Sequence, residues 1–200
     1  RMRNLRVNLG ANSYDIIIDR NNLSNIADFV SSRGGKIFIL SDTNVAPLFA
    51  NVVMQSFIDK GYECKILVLE AGEPTKSIKS IGPIYSSMLD FKLTRRDLLV
   101  TLGGGVIGDL GGFVASTYLR GIDFVQVPTS LLAQVDSSVG GKVAVDLPEG
   151  KNLVGSFYQP KMVYMDVNVL YDLPDKYFVD GMAEIIKYGC IKDKNLFKLL

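Results

Sequence analysis

The chain has 200 residues, with 22 basic and 21 acidic side chains and no histidine. Without histidine it cannot form a Ser-His-Asp or Cys-His nucleophile, and its general acids and bases are Asp, Glu, Lys, Tyr or Cys. A net charge of +1 gives no electrostatic reason to expect nucleic-acid or membrane partners. The two cysteines, Cys64 and Cys190, are too few for a disulfide framework and indicate buried, reduced thiols in a cytosolic protein.

The first hundred residues alternate between short apolar runs and helical patterns. The alternation predicts strands at Arg6–Leu9, Tyr14–Ile18, Lys36–Leu40, Lys65–Leu69 and Leu98–Leu102, and helices at Leu23–Val30, Val45–Lys60 and Thr75–Phe91. This order is typical of a parallel sheet with helical crossovers, so we predict an α/β fold. Ligands of such sheets bind at the carboxyl ends of the strands. The segments 41–44, 70–73 and 103–105 are therefore predicted to share a site.

The composition changes after the fifth predicted strand. Of 19 glycines, 11 lie between Gly103 and Gly155, which indicates tight turns or backbone held against a ligand. From Asp175 the pattern is helical, and the apolar face of the last helix has no later element to pack on. We predict an α/β domain over residues 1–174 and the start of a helical domain, apparently truncated, over 175–200.

The glycine cluster that follows the strand at 98–102 is the first candidate site. Free amides at a helix N-terminus bind anions, and missing side chains let a diphosphate approach the backbone. A turn that merely allows close helix–sheet packing is the alternative, but six glycines in ten residues exceed that need. Gly103, Gly105 and Gly108 match the spacing GxGxxG, yet the extra glycines argue against the ordinary dinucleotide fingerprint.

Two further loops carry polar groups that admit two interpretations. The acidic loop at 70–76 can bind a ribose while Lys76 reaches a phosphate or Glu73, although a solvated loop with a helix cap explains it better when taken alone. In the segment 127–142, Thr129 and Ser130 are either ligand-binding hydroxyls or helix caps. Lys142 is either a phosphate ligand or part of a surface loop.

Two later segments also combine charge with a plain structural explanation. Lys151 and Asn152 lie beside glycines and can bind anions and hydroxyls, or form a polar β-hairpin. Glu184 and Lys187 share one helix face among apolar neighbours. A carboxylate in such surroundings needs a metal or a lysine as partner, and for an arbitrary helix a surface Glu–Lys pair is the simpler interpretation.

Together these motifs resemble the 3-dehydroquinate synthase family. The resemblance lies in Gly103–Asp109, Gln126–Lys142, Gly150–Asn152, Phe157–Pro160 and Gly181–Lys187, and it extends from about Lys36 to the end of the chain. It implies an N-terminal α/β NAD-binding domain followed by a helical metal domain, in a fold related to glycerol and iron-containing alcohol dehydrogenases. It also implies a homodimer.

The resemblance implies a cofactor site and assigns residues to it. NAD would contact Asp42, Asn44, Glu73, Lys76, Gly104, Gly105, Val106, Asp109, Thr129 and Ser130, and also the loop of Val169, Leu170, Tyr171 and Asp172. In that loop Lys-Thr is commoner in the family than Tyr171-Asp172. Lys142 and Lys151 would lie between cofactor and substrate.

The same resemblance assigns the substrate and metal residues. Asp136, Asn152 and Lys187 would bind a sugar-phosphate substrate, with Arg120 reaching its phosphate end from a partner subunit. Glu184 would be one of three ligands of a divalent metal, Zn²⁺ or Co²⁺, the other two being histidines further along the chain.

The implied reaction converts 3-deoxy-D-arabino-heptulosonate 7-phosphate to 3-dehydroquinate and phosphate. It proceeds by oxidation of a ring hydroxyl, phosphate elimination, re-reduction, ring opening and aldol closure. We expect these 200 residues to be inactive alone. The alternatives are another sugar-phosphate cyclase, a polyol dehydrogenase of the same fold, or a non-catalytic nucleotide-binding module.

Overall fold

The computed structural model describes residues 2–200 and shows a large sheet, a separate hairpin and α-helices on both sides of the large sheet. The strands are β1 (Arg3–Val7), β2 (Tyr14–Asp19), β3 (Lys36–Asp42), β4 (Glu63–Leu69), β5 (Leu98–Gly103), β6 (Asp123–Pro128), β7 (Lys142–Leu147), β8 (Gly150–Phe157) and β9 (Met162–Asp166). The α-helices are α1 (Ile26–Phe29), α2 (Ala46–Asp59), α3 (Ile78–Asp90), α4 (Gly105–Thr117), α5 (Asp175–Ile191) and α6 (Lys194–Leu199).

The large sheet has seven strands in the order β1-β2-β9-β6-β5-β3-β4. Every neighbouring pair is parallel except β1 and β2, which are antiparallel. The predicted α/β fold with a parallel sheet is therefore confirmed. Strands β7 and β8 form an antiparallel hairpin apart from this sheet.

The central strands are apolar without alternation because both of their faces are buried. In β3, Ile37 and Ile39 join the core on the side of α2, whereas Phe38 and Leu40 join the core on the side of α3 and α4. All four side chains have no exposed surface. Full burial of each such side chain contributes about 1.5–3 kcal/mol to the stability of the fold. Helices on both sides of the sheet give a three-layer α/β/α arrangement.

Several predicted boundaries differ from the structure, and three of the differences have a clear local reason. The first strand ends at Val7 rather than Leu9, because the amide of Leu9 donates to Ser13 Oγ at 2.9 Å instead of joining the ladder. The predicted helix at 23–30 divides into a 3₁₀ turn and the short α1. Helix α3 begins at Ile78 because the hydroxyl of Thr75 donates to the carbonyl oxygen of Glu70, which holds a preceding 3₁₀ turn.

The glycines of α4 have two separate roles. A Cβ on Gly111 would lie 2.3 Å from Thr101 Cγ2, and one on Gly112 would lie 2.3 Å from Val143 Cγ1. Gly108 similarly faces Gln126 Oε1 at 2.6 Å. These three glycines let the helix approach the sheet and the hairpin, so the packing explanation holds for them but not for the glycines that start the helix.

Helix α5 begins directly after Pro174 and packs on the segment 131–137. A Cβ on Gly181 would lie 2.5 Å from Leu131 Cβ, which shows how close the two elements come. The domain boundary at residue 174 remains a prediction. Across residues 2–200, no helix has the length and apolar character needed to cross a membrane.

Candidate functional site

A cavity of about 460 Å³ lies at the carboxyl ends of β3 to β6, and we name it the strand-end cavity. The segments after β3, β4 and β5 meet there, as expected for a parallel sheet. Its lining includes ten of the residues assigned to the nucleotide by resemblance, namely Asp42, Asn44, Glu73, Lys76, Gly104, Gly105, Val106, Asp109, Thr129 and Ser130.

The N-terminus of α4 forms the floor of the strand-end cavity. Gly104 is the N-cap of this helix and supplies no side-chain cap, and the first turn carries no acidic residue. The amides of this turn therefore lack intrahelical partners and face the cavity from the positive end of the helix. An anionic group suits this position.

Two other groups complete this surface. Asp42 Oδ1 accepts hydrogen bonds at 2.9 Å from the amides of Asn44 and Val45, which fixes its carboxylate at the mouth of the cavity. The hydroxyl of Thr129 is buried and has no hydrogen-bond partner among the described residues. Ser130 Oγ accepts a hydrogen bond from the amide of Ala133 at 3.3 Å, which agrees with the interpretation of Ser130 as a helix cap.

A buried ion pair forms one wall of the strand-end cavity. Lys76 Nζ lies 2.7 Å from Asp109 Oδ2, and the two side chains are only 8% and 18% exposed. Burial raises the pKa of the Asp109 carboxyl, and the hydrogen bond and charge of Lys76 oppose that rise. A pairing of Lys76 with Glu73, one of the two alternatives considered from the sequence, is absent from the described ion pairs, and Glu73 contacts Lys151 at 3.2 Å.

A second cavity of about 670 Å³ adjoins the first, and we name it the hairpin cavity. Three residues assigned to the substrate region line it, namely Asp136, Lys142 and Asn152. A polar β-hairpin is present, but β7 and β8 form it with a turn at 148–149, so the segment from Gly150 considered as a hairpin from the sequence is only its second strand. The hairpin carries two of these residues. Asp109 and Ser137 line both cavities and mark their junction.

The backbone around the hairpin cavity is irregular. Asn152 has a φ of 57°, and its amide donates to Asp146 Oδ1 at 2.8 Å, which holds this residue in the left-handed region. Asp136 lies in a π-helix over Ala133–Ser137, a wide turn that is often found at functional sites. Gln134 Nε2 anchors this turn by donating to the carbonyl oxygens of Pro128 and Asp166, both at 3.1 Å.

Several predicted residues lie outside both cavities. The loop of Val169, Leu170, Tyr171 and Asp172 is part of a 3₁₀ helix over Val167–Asp172. Val169 is buried in the core and Tyr171 is 85% exposed, and neither lines a cavity. Arg120 is exposed with a φ of 67° and also lines neither cavity.

The carboxylate of Glu184 forms an ion pair with Lys187 on the same face of α5. That contact is the simple Glu–Lys pair considered from the sequence. No cluster of three or more His, Cys, Asp or Glu side chains able to hold a metal ion occurs within residues 2–200. Glu184 could supply one metal ligand, but the donors described here do not amount to a metal site.

The structure adds residues that the sequence did not single out. Leu173, Tyr177 and Asp180 line the strand-end cavity from the start of α5 and the turn before it, and Ser137 lies at the junction. Tyr188 donates its hydroxyl to Asp136 Oδ1 at 2.6 Å. In the sequence, only the position of Tyr188 next to the candidate substrate residue Lys187 could have indicated a role for this tyrosine.

The family model described as "3-dehydroquinate synthase N-terminal" matches residues 66–180. A 3-dehydroquinate synthase of Clostridium botulinum (strain Alaska E43 / Type E3) is 60% identical over 198 residues, which cover 98% of this chain and 57% of the relative. One from Clostridium beijerinckii (strain ATCC 51743 / NCIMB 8052) is 58% identical over 100% of this chain and 57% of its own length. The chain thus spans a little over half the length of these curated relatives.

Two solved structures have similar folds. A 2-epi-5-epi-valiolone synthase from Streptomyces hygroscopicus subsp. jinggangensis 5008, with NAD⁺ and Zn²⁺ bound, has a TM-score of 0.87 and 29% identity, covering 97% of this chain and 54% of its own. A 2-deoxy-scyllo-inosose synthase complexed with carbaglucose-6-phosphate, NAD⁺ and Co²⁺ has a TM-score of 0.86 and 26% identity, covering 92% of this chain and 50% of its own.

Proposed function

Because this chain belongs to the 3-dehydroquinate synthase family, we propose that it forms the N-terminal part of a 3-dehydroquinate synthase. That enzyme converts 3-deoxy-D-arabino-heptulosonate 7-phosphate to 3-dehydroquinate and phosphate. The observation that carries the proposal is the pair of adjoining cavities, one suited to a dinucleotide and one to a polyhydroxylated anion, which share Asp109 and Ser137.

NAD is proposed to occupy the strand-end cavity. The uncapped amides at Gly104 and Gly105 suit its diphosphate, and the unpartnered hydroxyl of Thr129 gains a partner when a polar ligand fills the cavity. The carboxylate of Asp42 suits a ribose hydroxyl. When bound, this cofactor supplies the oxidation and later re-reduction of a substrate hydroxyl.

The sugar phosphate is proposed to occupy the hairpin cavity. Lys142 is exposed at its edge and offers a positive charge to the phosphate, while Asn152 and Asp136 offer hydrogen bonds to hydroxyls. Holding the ring against the junction at Asp109 and Ser137 places it beside the cofactor cavity, which is a positioning contribution to the rate. The substrate's own phosphate is suited to accept the proton that leaves its ring.

The divalent metal, Zn²⁺ or Co²⁺, is proposed from the metal-containing neighbours and from the position of Glu184 on α5. The described residues include Glu184 as a potential ligand but do not make up a full ligand set. Lys187, paired with Glu184, remains a proposed substrate ligand on the same helix.

A homodimer in the cytoplasm completes the proposal. Arg120 lines neither cavity of its own chain, and both it and Leu119 are exposed with positive φ values of 67° and 49°. A strained, exposed turn of this kind supports a role for Arg120 in the site of a second copy. Cys64 is half-buried and Cys190 is exposed, so the expectation that both thiols are buried is wrong. That both thiols are free supports a reducing compartment.

Phosphate release and product identity test this function. The full-length enzyme, given NAD, a divalent metal and 3-deoxy-D-arabino-heptulosonate 7-phosphate, should release phosphate and form 3-dehydroquinate. Lys142→Met should lower kcat/KM by about ten- to a hundredfold, because a charged hydrogen-bond partner of the phosphate is removed. Phosphate release by the 200-residue chain alone would contradict the proposal that the site needs further residues.

Another sugar-phosphate cyclase is the second candidate. The favouring observation is the fold similarity to two such synthases, both above 25% identity. A cyclitol product other than 3-dehydroquinate, identified by mass spectrometry and NMR, would establish this candidate instead.

A further inference from the structure

One hydrogen bond joins α5 to the wall of the hairpin cavity. The hydroxyl of Tyr188 donates to Asp136 Oδ1 at 2.6 Å across 52 residues of sequence. The close approach of Gly181 to Leu131 fixes α5 against the same segment, so the tyrosine reaches the carboxylate from a closely packed helix. No other hydrogen bond to the Asp136 side chain occurs among the described residues.

Asp136 lies in an irregular turn at the edge of the hairpin cavity. It lies in the π-helix over Ala133–Ser137, and it is half-buried at the edge of the hairpin cavity. A carboxylate accepts hydrogen bonds through both of its oxygens. With Oδ1 bonded to Tyr188, the second oxygen stays available for a hydroxyl group in the cavity.

We propose that Tyr188 is a positioning residue whose hydroxyl holds the Asp136 carboxylate in the orientation that accepts a substrate hydroxyl. This inference rests on the proposed function, in which Asp136 binds the sugar phosphate. Tyr188 thereby links substrate binding to α5, the helix that carries Glu184 and Lys187.

The surroundings of Tyr188 allow its hydroxyl to be tested separately from its ring. Lys187 Nζ lies 5.1 Å from the centroid of the Tyr188 ring, a cation–π contact that phenylalanine preserves. The hydrogen bond to Asp136 also raises the pKa of Tyr188, which keeps the phenol protonated as a donor. Tyr188→Phe therefore removes the donor and keeps the packing.

The test is a double-mutant cycle in the full-length enzyme. Binding of 3-deoxy-D-arabino-heptulosonate 7-phosphate is measured by calorimetry on metal-depleted protein, and KM and kcat are measured on metal-loaded protein. Tyr188→Phe should raise Kd and KM about tenfold, the size expected for a hydrogen bond to a charged group, with a smaller change in kcat. In an Asp136→Ala background, where the acceptor is absent, the same substitution should have no further effect.

Tyr62→Phe is the matched control. Tyr62 packs against Phe57, lines neither cavity and makes no hydroxyl hydrogen bond among the described residues. The Kd and KM of the Tyr62→Phe variant should therefore equal those of the wild type. A separate readout uses ¹³C-labelled tyrosine. The pKa of Tyr188, measured by NMR, should fall in Asp136→Asn, and this measurement needs neither turnover nor a substituted tyrosine.

The outcomes separate this inference from the proposed function. A wild-type enzyme that neither binds the sugar phosphate nor releases phosphate overturns the proposed function. If the wild type is active and the Kd of Tyr188→Phe lies within twofold of the wild-type Kd, only the positioning role is overturned. Equal effects of Tyr188→Phe in both backgrounds, or an unchanged pKa of Tyr188 in Asp136→Asn, also overturn it.

Discussion

Replacing Lys76 by methionine tests the buried ion pair that separates the two cavities. At the observed 2.7 Å between Lys76 Nζ and Asp109 Oδ2, the direct attraction is about 6 kcal/mol at an effective dielectric constant of about 20. Desolvation offsets part of it, and removal of one partner from a buried pair costs about 3 kcal/mol, because the other charge stays buried. Lys76→Met should lower the free energy of unfolding by about that amount at neutral pH.

The loss should depend on pH in a defined direction. Burial raises the pKa of Asp109 from its ordinary value of 3.8, and Lys76 limits that rise. Without Lys76 the pKa rises further. A carboxyl whose pKa is raised by folding favours the folded state below its unfolded pKa and loses that contribution as the pH rises through its folded pKa. The destabilisation should therefore be small near pH 4 and grow towards pH 8.

Urea unfolding at both ends of this range measures the effect. Lys60→Met is the matched control, because Lys60 Nζ and Asp28 Oδ1 are also 2.7 Å apart but both side chains are half exposed. Its unfolding free energy should equal that of the wild type within error, since exposed pairs contribute little. A loss below about 1 kcal/mol for Lys76→Met, or an equal loss at both pH values, would refute this account of the pair.

Two further predictions concern single positions. Thr129→Val removes an unpartnered buried hydroxyl, so the midpoint of thermal unfolding should not fall. Calorimetry should show about tenfold weaker binding of NAD to this variant. An NAD affinity equal to that of the wild type would contradict the assignment of Thr129 to the cofactor. Gly112→Ala should cost about 1–3 kcal/mol in urea unfolding, because its Cβ would lie 2.3 Å from Val143 Cγ1. A cost below about 0.5 kcal/mol for Gly112→Ala would contradict the close packing of α4 on β7.

The sequence alone determined that the sheet is parallel with helical crossovers, and it determined the location of the first cavity. The central strands are apolar on both faces, and this pattern is present in Ile37–Leu40 without any tertiary information. Because parallel strands align their carboxyl ends, the loops after β3, β4 and β5 had to meet. The strand-end cavity lies where they meet.

Only the tertiary structure decided which charges and glycines act together. Lys76 pairs with Asp109, 33 residues away, rather than with its neighbour Glu73, because α4 brings the aspartate into the wall between the cavities. The glycines of α4 separate into those that face the strand-end cavity and those that pack on β5, β6 and β7. Tyr188 reaches Asp136 because α5 packs on the π-helix, a contact that depends on the path of the chain between them. Periodicity is a local property of the sequence, whereas these partners are set by how distant elements pack.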